Sequence, residues 1–151
     1  MIFIKTHSNL LTKLFIEYIY LLTASCFKVR LWLIFTISVS AVTYEQLKAM
    51  LANHSVQLFD VRNPDEFQAG RIPDSVNIPL GQLEESLKLP PQQFQLQFGV
   101  KAPEKEDDNI VFHCRSGKRS LTALEIAHRL GFSKARHYAG GYIDWEQCEK
   151  K

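Results

Sequence analysis

Only three cysteines occur in the 151 residues, Cys26, Cys114 and Cys148. An odd number at those separations builds neither a disulfide framework nor a zinc site, which needs cysteine and histidine pairs a few residues apart. His54, His128 and His137 are equally scattered, so no metal is expected. Glycine-rich phosphate loops and the dinucleotide fingerprint are also missing, and with them any expected nucleotide cofactor. Internal repeats and low-complexity tracts are absent, which excludes solenoids and disordered tails. A large excess of one charge is lacking too, the net charge being +2 from 18 basic and 16 acidic residues. Residues 1–42 hold four of those bases (Lys5, Lys13, Lys28, Arg30) and one acid (Glu17), so the remainder is close to neutral. A neutral body has no stripe of cations for a phosphate backbone, and nucleic acid is not an expected partner.

Long apolar runs stop short of a membrane span. The charge-free stretches Tyr18–Phe27 and Leu31–Tyr44 are each shorter than the roughly 18 residues that a spanning helix needs. A helix crossing with Lys28 and Arg30 inside it would bury two charges at about 2.5–3.5 kcal/mol each. Leu31–Ile37 followed by Ser38, Ser40 and Ala41 has the form of a secretory signal, but it lies far from Met1 and behind Glu17. Residues 1–42 therefore read as an apolar leader, a transit peptide or dispensable extension being favoured. Cytoplasmic or mitochondrial residence is the expectation, with secretion or a membrane anchor through the leader as the alternative. Any membrane contact is confined to this segment.

From Thr43 the chain reads as one domain, 43–149, large enough to bury a core without staples. Thr43 and Gln46 have the spacing of a capping box, and Tyr44, Leu47, Met50 and Leu51 continue at helical period toward Asn53. Val56–Val61 reads as a strand. Asn63-Pro64-Asp65-Glu66 opens a short helix ending at Gly70. Val76–Ile78 is a second strand, Gln82–Lys88 and Pro91–Phe98 are brief helices, and Lys101–Asn109 is a solvated loop. Ile110–His113 is a strand, Leu121–Leu130 a helix stopped by Gly131, Ala135–Tyr138 a strand and Tyr142–Glu149 a closing helix. Strands alternating with helices predict an α/β fold, a mostly parallel sheet with helices on both faces.

In such sheets chemistry sits beyond the carboxyl ends of the strands. Cys114 directly follows the Ile110–His113 strand and precedes Arg115, Ser116, Gly117, Lys118, Arg119 and Ser120, a six-residue turn from Cys114 to Arg119 before the helix. Gly117 permits the positive φ that lets successive amides converge on an anion, and the helix start adds unsatisfied N–H groups. Cations beside a cysteine at a helix N-terminus favour its thiolate. Cys114 is thus the expected nucleophile, and Arg115 to Ser120 the expected cradle for an anionic substrate. Cys26 and Cys148 lack this setting. Asp60, Arg62 and Glu66, at the end of the preceding strand and the start of its helix, are expected supports, with Arg119 pairing Asp60 or Glu66.

These motifs carry a resemblance over about Thr43–Trp145. Asp60-Val61-Arg62, Glu66-Phe67, Gly70-Arg71-Ile72-Pro73, the loop Cys114–Ser120, and Gly140-Gly141 with Trp145 resemble the single-domain rhodaneses, the thiosulfate sulfurtransferase/rhodanese-like domain-containing proteins. Two departures are Arg71, where a His is common, and Asp74-Ser75 in place of Gly-Ala. The resemblance implies a cysteine that becomes persulfidated and passes sulfane sulfur by double displacement. A thiosulfate-like donor and a thiol acceptor such as glutathione or thioredoxin, or cyanide, would then be its partners, with the chain a monomer and no cofactor. A rhodanese-fold carrier without free turnover is the alternative. Cysteine-dependent phosphatases, some of which share the fold, are disfavoured because their loop needs Arg at position 120, which is Ser.

Overall fold

The computed structural model describes residues 40–151, so the expectations placed on residues 1–39, Cys26 among them, lie outside the described residues. No helix among the described residues is long and apolar enough to cross a membrane. The elements run β1 (Ala41–Val42), α1 (Tyr44–Ala52), β2 (Gln57–Asp60), α2 (Pro64–Ala69), β3 (Val76–Asn77) and α3 (Leu80–Leu87). They continue with α4 (Pro91–Phe98), β4 (Ile110–His113), α5 (Lys118–Arg129), β5 (Arg136–Tyr138) and α6 (Gly141–Glu149).

All five strands are parallel, in the order β1-β5-β4-β2-β3. From β2 the chain crosses to β3 on one side, whereas from β4 it crosses to β5 on the other. The crossovers therefore diverge between β2 and β4, the place where an open parallel sheet leaves a crevice at its carboxyl edge. Asp60 and His113 are register partners, so both strands end level with each other just below that crevice.

Alternation along the strands divides the core into two faces. Phe59, Ile110, Phe112 and Cys114 pack on one side with Leu83 of α3, Phe94 of α4 and Ala123 and Leu124 of α5. Leu58, Val111 and Tyr138 face the other side with Leu47 of α1, Ile72 and Trp145 of α6. Phe59 meets Phe112 at 5.8 Å and Phe94 edge-on at 6.3 Å between ring centres. Burying each such ring contributes about 1.5–3 kcal/mol, enough for this cluster to fix the height of β4 and the residue that follows it.

Helix starts are fixed locally. The Thr43 hydroxyl accepts the Gln46 N–H at 3.2 Å while Gln46 Oε1 accepts the Thr43 N–H at 3.0 Å, a complete capping box. Glu66 likewise accepts the Asn63 N–H at 3.1 Å at the head of α2. Most boundaries agree with the sequence expectation to within one residue, and three differences are larger. α5 starts at Lys118 rather than Leu121, because Gly117 at φ 90° ends the turn and becomes the helix cap. The expected six-residue turn is therefore four residues long, Cys114–Gly117, and Lys118, Arg119 and Ser120 form the first helical turn. α3 starts at Leu80, two residues before Gln82. β1 falls within the segment read as leader, since two residues at a sheet edge carry no period to detect.

Candidate active site

The site grows from the end of β4. Cys114 leaves the strand on its Phe112 side and is 1% exposed. Its Sγ accepts the Gly117 N–H at 3.1 Å and lies 3.7 Å from Ser120 Oγ. The amides of Ser116, Lys118, Arg119 and Ser120 have no hydrogen-bond acceptor among the described residues, so the turn and first helical turn present a group of free donors beside the sulfur.

Two glycines make the geometry possible. Gly117 has φ 90°, and a Cβ placed there would lie 2.2 Å from the Ala139 carbonyl oxygen. Gly141 has φ 65°, and its Cβ would lie 2.5 Å from the Arg115 carbonyl oxygen. With no side chain in the way, the head of α6 rests on the turn. Tyr142 N–H donates to the Cys114 carbonyl at 2.8 Å and Ile143 N–H to the Arg115 carbonyl at 3.1 Å.

The charges around the turn are mostly paired. Arg119 grips Glu66 with two hydrogen bonds of 2.7 and 2.8 Å. That guanidinium, helped by the Asn63 N–H and opposed by partial burial, holds the Glu66 carboxyl down at about 2. Arg119 is pushed up in return by Glu66, with smaller contributions of the same sign from Cys114 and Asp60. Asp60 and Arg62 form a buried pair, Nε reaching both carboxylate oxygens at 3.0 Å and Nη2 one of them at 2.7 Å. Arg62 also donates to the Gly70 carbonyl at 2.7 Å and lies over the Tyr142 ring at 4.4 Å. It thereby connects β2, the end of α2 and α6.

Two buried histidines flank Cys114. His113 is fully enclosed, neither ring nitrogen has a hydrogen-bond partner among the described residues, and Nε2 lies 3.6 Å from Asp60. Burial pushes it down to about 4, against the pull of Asp60. His137 on β5 places Nδ1 3.1 Å from Ser120 Oγ, and burial lowers it as well.

The structure brings Cys114, Gly117, Arg119, Ser120 and Glu66 together, whereas Arg115, Ser116 and Lys118 are exposed around them. Asp60 and Arg62 pair with each other beneath the turn. A cavity of about 420 Å³ opens beside Arg115, lined also by Arg62, Asp65, Glu66, Tyr142 and Glu146. His137 and Tyr142 were not selected from the sequence as parts of the site. Both arrive by tertiary packing, and the one local signal is Gly140-Gly141, which announces a close approach of backbone just before Tyr142.

The rhodanese-like domain model matches residues 43–148. The chain belongs to this family. A human thiosulfate:glutathione sulfurtransferase is 42% identical over 108 residues, covering 72% of this chain and 94% of that protein. The mitochondrial thiosulfate sulfurtransferase RDL2 of Saccharomyces cerevisiae is 30% identical, covering 68% of this chain and 70% of that protein. The structure of the human single-domain sulfurtransferase TSTD1 superposes with a TM-score of 0.69 at 41% identity, covering 72% of this chain and 96% of that one. In this rhodanese domain, position 120 holds a buried serine 3.7 Å from the Cys114 sulfur, where a phosphatase loop would have Arg.

Proposed function

We propose that the chain is a sulfurtransferase that moves sulfane sulfur from thiosulfate or a similar donor to a thiol or cyanide through a persulfide on Cys114. The observation that carries this reading is the Gly117 N–H on Cys114 Sγ at the head of α5, with the neighbouring amides free to receive an anion. In the first half-reaction the Cys114 thiolate attacks the outer sulfur of thiosulfate. A new S–S bond forms, the donor's S–S bond breaks, and its electron pair leaves with sulfite. In the second, an acceptor thiolate attacks the outer sulfur of the persulfide and Cys114 departs as thiolate, which gives ping-pong kinetics.

Roles follow from placement. Exposed Arg115 and Lys118 draw a dianion toward the turn. Arg119, held by Glu66, fixes the first turn of α5 against α2, and the Asp60–Arg62 pair fixes the end of β2. The cavity beside Arg115 combines cations with Asp65, Glu66 and Glu146, a mixture that suits a thiol carrying both ammonium and carboxylate groups, as glutathione does. The human relative's name supports that acceptor, and the yeast relative's name supports a mitochondrial location.

The test is mass spectrometry of the protein after thiosulfate treatment, followed by cyanide or glutathione. Cys114 is expected to gain the mass of one sulfur atom and to lose it to the acceptor. Cys114→Ala should abolish both the adduct and turnover, while Cys148→Ala, altered only where its thiol approaches Asp144 at 3.9 Å, should retain them. An adduct confined to another cysteine would overturn the assignment, and a Cys114 adduct that no small acceptor removes would make the chain a carrier.

A further inference from the structure

The sulfur is connected to a buried base that the mechanism above does not use. Ser120 and His137 are 0% and 4% exposed, so their contact lies inside the protein. Ser120 Oγ lies 3.7 Å from Cys114 Sγ, 3.1 Å from His137 Nδ1 and 3.0 Å from the Gly117 carbonyl oxygen. One hydroxyl therefore has the sulfur on one side and, on the other, the Gly117 carbonyl and an imidazole nitrogen that accepts its proton when the ring carries its hydrogen on Nε2. A serine placed only for packing or for bonding a backbone carbonyl would need no imidazole at its far side.

We propose that Ser120 and His137 form a proton relay that takes the thiol proton of Cys114. The S–H bond breaks as the proton passes to Ser120 Oγ, the Ser120 proton passes to His137 Nδ1, and the products are a thiolate and an imidazolium. No electrons change hands and no co-reactant is needed. The imidazolium returns the proton by the same path when Cys114 is a thiol at rest. The proposal rests on Cys114 as the nucleophile of sulfur transfer, and it supplies a buried cysteine with a route for its proton other than direct contact with bulk water.

The surroundings of His137 suit a base that works neutral. Its register partners are Phe112 on β4 and Ala41 on β1, and its backbone N–H donates to the Ser40 carbonyl at 2.9 Å. From α5 and the turn it meets Ser120 and, behind it, Cys114. Burial lowers it, and no carboxylate among the described residues bonds its ring. His113, on the neighbouring strand, faces Asp60 rather than this hydroxyl.

The experiment follows iodoacetamide alkylation of Cys114 across pH in the full chain, with the site resolved by mass spectrometry so that Cys26 and Cys148 do not interfere. It needs no sulfur donor, so it reads the relay even if no sulfur adduct ever forms. Ser120→Ala and His137→Gln should each slow alkylation at pH 7 by about tenfold, equivalent to one pH unit of ionisation, and converge on the unaltered rate at high pH. The double variant should be no slower than either single one, and Ser120→Thr, which keeps the hydroxyl, should restore the rate. Unchanged profiles, or losses that multiply in the double variant, would overturn the relay. Should a variant fail to fold, ¹⁵N-histidine NMR of the unaltered chain decides: the His137 Nδ1 resonance should move when Cys114 is alkylated, and an unmoved resonance would refute the proposal.

Discussion

Gly117 meets two demands that a residue with a side chain cannot meet at once: φ 90° and a carbonyl oxygen 2.2 Å from where a Cβ would sit. The left-handed backbone alone costs a non-glycine residue about 1–2 kcal/mol, and the contact adds to that. Gly117→Ala should therefore displace the amide that meets the sulfur, so that sulfur loading is lost while thermal melting falls only a few degrees; full loading in a folded variant would contradict the geometry. His113 makes a different prediction. Its ring is held neutral down to about 4 by burial, whereas in the unfolded chain it takes up a proton below about 6.5. Its contribution is thus complete above pH 6.5 and lost as pH falls toward 4, on the order of 3 kcal/mol. Melting temperature should drop across that window and drop less in His113→Leu; parallel curves would remove His113 as the cause. At this scale the sequence showed what sits next to Cys114 along the chain. Cys114, Gly117 and the basic residues were readable from composition at a strand-to-helix turn. Ser120 was readable as part of the loop but not as a partner of His137, because that contact joins a helix to a strand 17 residues later.

The Arg119–Glu66 pair joins α5 to α2, the helix that follows the β2 strand end at Asp60. The side chains are 32% and 21% exposed, so solvent screening limits the coupling to about 1 kcal/mol. A double-mutant cycle with Glu66→Gln and Arg119→Met in denaturant should return a coupling of that size at pH 7. Because Glu66 is depressed from 4.5 to about 2, the coupling should be present above pH 4.5 and vanish as pH falls toward 2. Purely additive losses at pH 7 would place the stabilisation elsewhere. Most elements were legible because their signals are local: the capping box at Thr43 and Gln46, Pro64 behind Asn63, the apolar run Ile110–His113, and Gly131 at φ 99° after α5. The start of α5 was not, since its first turn is Lys-Arg-Ser and offers no apolar period. What begins the helix there is a backbone angle at Gly117, which permits more than one turn geometry.

The whole domain can be tested by where it is cut. A fragment of residues 40–151 keeps β1 and the Ser40 carbonyl that receives the His137 N–H at 2.9 Å. It should melt and turn over like the full chain. A fragment starting at Thr43, the boundary read from the sequence, discards both and should melt several degrees lower; identical melting of the two fragments would show that β1 contributes nothing. The same short strand has one more effect. Both margins of the sheet, β1 and β3, are two residues long, whereas the four-residue strands are enclosed at its centre. Among the described residues, a foreign strand seeking to extend the sheet therefore finds almost no exposed ladder to copy.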